Sequence, residues 1–171
     1  EAGAAVTLVA GPTAIATPEG VERIDVVSAA QMADAVLARA DASDVFVAVA
    51  AVADYRPVEV HEQKVKKKNA PMTIALEPTV DILATVAARP KAPFCVGFAA
   101  ESHDVVKLGE EKRQRKKLAM LVANRAQDAM GADDNEVTIL DATGAHALPR
   151  MDKLALARRL VAEIAARMKA R

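Results

Sequence analysis

Four lysines fall within residues 64–68, Lys64-Val65-Lys66-Lys67-Lys68, shortly after an acid, an aromatic and an arginine at Asp54-Tyr55-Arg56. Ammonium groups close to a fixed carboxylate suit a polyanion whose base or sugar must also be recognised. Alternation at Lys64-Val65-Lys66 puts both lysines on one side of an extended segment. Such a run is either a solvated loop or a loop that closes over a phosphate and neutralises charge developing in a transition state. Asp54 likewise has two readings: it caps the loop, or it accepts hydrogen bonds from ribose hydroxyls or an amino group, or helps hold a metal ion.

Other positions carry weaker signals. Thr79-Val80-Asp81-Ile82 opens a helix after a proline, and the free backbone N–H groups of a helix start bind anions. From Gly109 to Lys117 no residue has an apolar side chain. That helix is either a protruding solvated one or a face that meets phosphates, and Lys112 and Lys116 project together at a spacing of one turn. Phe98 either fills the core or contacts a planar base. Cys95 reads as core. His61, His103 and His146 lack metal-ligand spacing, and neither a nucleophile elbow nor a glycine-rich phosphate fingerprint is present.

The elements that must position these groups follow from the apolar pattern. Strands are predicted at Val6–Ala10, Arg23–Val27, Val45–Val52, Met72–Leu76, Pro93–Ala99, Ala119–Ala123 and Val137–Leu140, the last followed by a turn and a hairpin partner at Ala145–Leu148. Helices are predicted at Ala29–Arg39 with Ser28 as N-cap, at Val80–Ala88 with Thr79 as cap, at Asp104–Leu118, and at Met151–Met168 with Leu154, Leu160, Val161 and Ile164 inward. Residues 57–70 read as a mobile flap and Arg125–Asn135 as a polar loop. The opening residues read as the tail of a helix, which leads us to expect a preceding strand and helix. Alternation of strands and helices gives an α/β fold, a Rossmann-like, mostly parallel sheet with helices on both faces and a small hairpin near the carboxyl end. Ligands then sit beyond the carboxyl ends of the strands, which selects Ala53–Arg56, Phe98–Glu101 and Ala123–Arg125.

Composition narrows the partners. The chain has 171 residues, 52% hydrophobic but only 2% aromatic, which suits one domain whose core is Ala, Val, Leu and Ile. Lysine plus arginine equals aspartate plus glutamate at 23 each, so no global field favours nucleic acid or an anionic membrane. A single cysteine and the lack of any apolar run near the roughly 18 residues of a membrane span lead us to expect a cytoplasmic protein.

Seven segments, VTLVAGPT at 6–13, AAVADYRP at 50–57, KVKKK at 64–68, VDIL at 80–83, VGFAAE at 96–101, KRQRKK at 112–117 and LVAN at 121–124, together resemble the phosphopantothenoylcysteine synthetase domain of the bacterial bifunctional coenzyme A biosynthesis flavoprotein. They occur in that family's order over nearly the whole chain. The resemblance implies a CTP-dependent ligase: the carboxylate of 4′-phosphopantothenate attacks the α-phosphate of CTP, giving an acyl-cytidylate and pyrophosphate, and the amine of L-cysteine then displaces CMP. It implies that Ala48, Val49, Ala50 and Asp54 line the nucleotide site, and that Lys64 is the catalytic flap lysine that also contacts CTP. It further implies that Val80, Asp81, Ile82 and Leu83 offer a helix start to phosphates, that Phe98 contacts the cytidine, and that Lys112 and Lys116 contact the phosphate chain.

Mg²⁺ would arrive with CTP, so no protein metal ligands are expected. A homodimer and a fused decarboxylase domain are implied as well. The family's opening strand, Gly-rich turn and intermediate-binding asparagine precede VTLVAGPT and have no counterpart among these residues, nor does the flavin-binding half, so FMN is not expected. Where the family has Pro-Asp at the phosphate helix, this chain has Val80-Asp81. Two rival classes are a nonenzymatic nucleotide- or RNA-binding domain using the two basic runs and a Rossmann-like oxidoreductase. Zero net charge and scarce aromatics weigh against the first, and the absent dinucleotide fingerprint against the second.

Overall fold

The computed structural model describes residues 2–61, 63–67, 69, 71–129 and 131–170. In chain order the elements are β1 (Val6–Ala10), β2 (Val21–Asp25), α1 (Ala29–Leu37), β3 (Val45–Ala48), β4 (Tyr55–Pro57), β5 (Leu76–Pro78) and α2 (Ile82–Ala87). Then come β6 (Phe94–Glu101), α3 (Val105–Arg115), β7 (Met120–Arg125), α4 (Ala126–Ala129), β8 (Asp134–Asp141), β9 (Gly144–Asp152) and α5 (Lys153–Lys169).

The central sheet has the order β3-β6-β7-β8-β9. β3, β6 and β7 run parallel, while β8 and β9 are antiparallel. The α/β class, the largely parallel centre and the terminal hairpin are as expected. β1 and β2 form a separate parallel pair, so β1 and β3 each keep one edge unpaired by any described strand.

Period-two alternation sorts the core into two layers. On one face Cys95, Ala99, Leu121, Ala123 and Leu140 pack with Ala33 of α1 and with Ile82, Leu83 and Val86 of α2. On the other, Phe94, Val96, Met120, Val122 and Ile139 pack with Leu156 and Leu160 of α5. Helices therefore cover both faces, and β6 and β7 are buried over nearly their full length, which is why they read as continuous apolar runs. Cys95 is a buried core residue, as expected. Ser28 caps α1, as expected, and does so through a full capping box with Gln31.

Several elements differ from the sequence reading. β3 ends at Ala48 and not Val52, leaving Val49 and Ala50 exposed beyond the strand. The strand expected at Met72–Leu76 forms instead at Leu76–Pro78 and pairs antiparallel with Tyr55–Pro57. The loop expected at Arg125–Asn135 contains α4 and the start of β8. On α5, Leu154 and Val161 face solvent and Leu156 faces inward, because the buried stripe runs Leu156, Leu160, Ile164.

The cap of α2 is Asp81 and not Thr79. Thr79 is held elsewhere: its hydroxyl donates to the Ala53 carbonyl at 2.6 Å and its N–H to the Asp54 carbonyl at 2.9 Å. It thus ties the end of β5 to the segment that carries Asp54.

Candidate functional site

Parallel pairing puts the carboxyl ends of β3, β6 and β7 on one edge, with Ala48 opposite Gly97 and Glu101 opposite Arg125. β6 therefore continues past the end of β3, and its last residue reaches the start of the α3 connection. The expected ligand edge is built from these ends.

α3 packs on the face of the sheet that carries Leu121, Ala123 and Leu140, and a glycine brings it close. A β-carbon on Gly109 would stand 2.7 Å from Leu140 Cδ1 and 3.2 Å from Ala123 Cβ, so the helix docks through its backbone. Gly97 allows a similar approach, since a β-carbon there would stand 2.8 Å from both Leu118 Cδ1 and Leu83 Cδ2. The helix ends with Lys117 in the left-handed region at φ 55°. The Leu118 N–H returns to the Arg113 carbonyl and the Lys117 N–H to the Gln114 carbonyl, a Schellman closure.

The close approach carries Lys112 and Lys116 to neighbouring elements. Lys116 Nζ lies 2.8 Å from Asp81 Oδ2 and 3.0 Å from Oδ1. Asp81 Oδ1 also accepts the Ala84 N–H at 3.0 Å, so one carboxylate caps α2 and holds the lysine. Burial works against ionisation of Asp81, but the Lys116 hydrogen bond and the Ala84 N–H outweigh it and hold the carboxyl below its ordinary range. Lys112 Nζ lies 3.8 Å from Glu101 at the end of β6. Arg113, between them, turns back to Glu110 at 2.7 Å and to the Leu118 carbonyl at 3.1 Å. Burial opposes but does not overcome the effect of Arg113 on Glu110, whose carboxyl is held low chiefly by that hydrogen bond.

Of the residues singled out by sequence, the structure thus pairs Lys116 with Asp81, while Lys112, one turn earlier, faces Glu101. Ile82 and Leu83 have their side chains in the core, while Val80 is exposed ahead of the helix. Phe98 is half-buried against the α5 side of the sheet, the face opposite Leu121 and Ala123. Ala48 is half-buried, and Ala50 and Asp54 are exposed. Lys64, Lys66 and Lys67 are exposed and form no ion pair with another described residue. Lys68 lies outside the described residues.

Glu101 was visible in the sequence only as a strand end. Its role emerges from the pairing with Lys112, which no local spacing announces. At the same edge a hollow of about 520 Å³ is lined by Asp104, Val105, Val106, Lys107 and Arg125. Asp104 precedes α3 in the left-handed region, with no side-chain cap. Among the described residues no group of three or more His, Cys, Asp or Glu side chains could hold a metal ion, and no helix is long and apolar enough to cross a membrane.

Comparison with known proteins places this architecture. The model of the DNA/pantothenate metabolism flavoprotein C-terminal domain matches residues 1–168. The chain is 44% identical over 168 residues to the coenzyme A biosynthesis bifunctional protein CoaBC of Vibrio vulnificus strain YJ016, covering 95% of this chain and 42% of that protein. It is 43% identical over 169 residues to the same-named protein of Bacillus subtilis strain 168, covering 96% of this chain and 42% of that one. The chain therefore spans about two-fifths of the length of these relatives. A crystal structure of the C-terminal domain of CoaBC aligns with a TM-score of 0.82 at 35% identity, covering 99% of this chain and 77% of that one. The chain belongs to the DNA/pantothenate metabolism flavoprotein C-terminal domain family.

Proposed function

We propose that the protein carries out the phosphopantothenate–cysteine ligase step of coenzyme A biosynthesis, using CTP. The observation that carries this reading is a pair of lysines one turn apart on α3, each held by a carboxylate from another element: Lys112 by Glu101 at the carboxyl end of β6 and Lys116 by Asp81 at the start of α2. Family membership, and the coenzyme A biosynthesis named for its relatives, support it.

In this reading the triphosphate lies along Lys112 and Lys116, near the backbone of Val80–Leu83. The nucleoside rests against Ala48, Val49, Ala50 and Phe98, with Asp54 accepting from its hydroxyl or amino groups. The 4′-phosphopantothenate carboxylate attacks the α-phosphorus. The bond to the bridging oxygen breaks, and pyrophosphate leaves with the electron pair. Lys64, on the exposed segment after β4, neutralises charge on the α-phosphoryl oxygens as they crowd in the transition state. The cysteine amine then attacks the acyl carbon, CMP departs, and the amine loses its proton to solvent.

Mg²⁺ supplies charge neutralisation on the phosphates. The chemistry of the donor set fits an ion borne by the nucleotide, because Asp81 and Glu101 are engaged by lysines. The working protein is proposed to be a cytoplasmic homodimer fused to a decarboxylase domain.

Calorimetric titration with Mg-CTP and Mg-ATP tests the assignment. Tighter binding of Mg-CTP is expected, and equal affinity for the two removes the cytidine assignment.

A further inference from the structure

Asp81 and Lys116 are joined in a way that a merely solvated basic helix does not require. The lysine side chain is only 16% exposed, and its ammonium meets both oxygens of one carboxylate. That carboxylate is itself fixed, since Oδ1 also accepts the Ala84 N–H. A lysine has four rotatable bonds and loses side-chain entropy when held in place. Here that ordering is already done, and it is done from another element of the fold.

The neighbouring lysine has a similar arrangement. Lys112 stands one turn earlier and faces Glu101, from the end of β6. Two ammonium groups at this spacing repel when left alone. Carboxylates from two different elements, Glu101 and Asp81, allow both to stay on one face. Arg113, in the same run, is instead engaged within its own segment by Glu110 and the Leu118 carbonyl.

We propose that Asp81 is a positioning residue: its carboxylate, anchored as the cap of α2, orders the Lys116 ammonium for the phosphate chain of the nucleotide. The inference rests on the nucleotide reading above and adds a specific mechanism to it. It also makes a counterintuitive prediction. A negative charge close to a polyanion site weakens binding by simple Coulomb repulsion, so deleting it should tighten binding. If Asp81 acts by ordering Lys116, deleting its charge should weaken binding instead.

Asp81→Asn isolates the charge, because asparagine is as good an N-cap as aspartate. Calorimetry with Mg-CTP, and separately with Mg-bound inorganic tripolyphosphate, is the measurement. For the variant we expect affinity for both probes to fall about tenfold, the scale of one charge-assisted hydrogen bond. The double variant D81N/K116Q should bind no more weakly than K116Q alone, because Asp81 acts through that lysine. A thermal melt of each protein fixes a working temperature at which all are folded.

Unchanged or tighter binding by D81N, or additive losses in the double variant, overturns the proposal and leaves the nucleotide reading intact. A wild-type protein that binds neither probe overturns the nucleotide reading and this inference with it.

Discussion

Gly109 of α3 and Leu140 of β8 approach so closely that a β-carbon on the glycine would lie 2.7 Å from Leu140 Cδ1. The Leu140 terminus has little room to yield, since the residue is fully buried beneath the helix. Gly109→Ala therefore pits overpacking of about 1–3 kcal/mol against a helix-propensity gain of up to about 1 kcal/mol. We expect a net loss of about 1 kcal/mol in urea unfolding, together with weaker Mg-CTP binding as α3 carries Lys112 and Lys116 outward. An alanine variant as stable as the parent would mean that Leu140 rotates away without cost.

Lys117 occupies the left-handed position that closes α3, where glycine bears no steric penalty. Its backbone bond to the Gln114 carbonyl needs no side chain. Lys117→Gly should raise stability by about 0.5–1 kcal/mol, read as a higher midpoint in urea at unchanged slope. Because Lys117 is exposed and makes no ion pair with a described residue, triphosphate affinity should change little.

Much of this fold was legible because burial leaves a signature. β6 and β7, covered on both faces, appear as unbroken apolar runs, and Ser28 announces its own cap. The β4–β5 ladder left no such mark, since three-residue strands with Pro57 and Pro78 at their ends are defined by a distant partner. Thr79 and Asp81 are both competent caps by type, and the choice between them was made by the carbonyls of Ala53 and Asp54, 26 and 25 positions away from Thr79. The site divides the same way. Helical spacing alone puts Lys112 and Lys116 together, whereas their partners Glu101 and Asp81 come from other elements and become visible only when α3 is docked.

Lys64 stands on the exposed segment after β4 and forms no ion pair with another described residue, so its ammonium is available to a phosphate. If it acts mainly in the transition state, Lys64→Gln should lower kcat by about 10²–10³ while CTP affinity falls only a few-fold. Single-turnover kinetics beside calorimetry separate the two. Equal losses in rate and affinity would assign Lys64 to ground-state binding.

At the opposite end of the sheet, Asp141 ties the β8–β9 turn to the last turns of α5. Its Oδ1 accepts the Thr143 N–H at 2.7 Å and the Thr143 hydroxyl at 2.6 Å, and its Oδ2 accepts Arg167 Nε at 2.7 Å. His146 Nε2 stands 3.2 Å from Oδ1. Burial opposes ionisation, but the Thr143, Arg167 and His146 hydrogen bonds outweigh it and hold the carboxyl far below the ordinary carboxylate range. In the unfolded chain the same group titrates near its ordinary value of about 4. Below that value the unfolded state binds the proton that the folded state still refuses, so stability rises with pH through this window. The contribution is complete above about pH 5 and is lost progressively as pH falls below about 4. Asp141→Asn should cost about 2–3 kcal/mol at pH 7, because it leaves the mostly buried Arg167 guanidinium with Glu163 alone. It should also flatten the dependence of urea-unfolding stability on pH between about 2 and 5. A variant that loses stability equally at pH 3 and pH 7 would show that the turn depends on Asp141 for packing and not for charge.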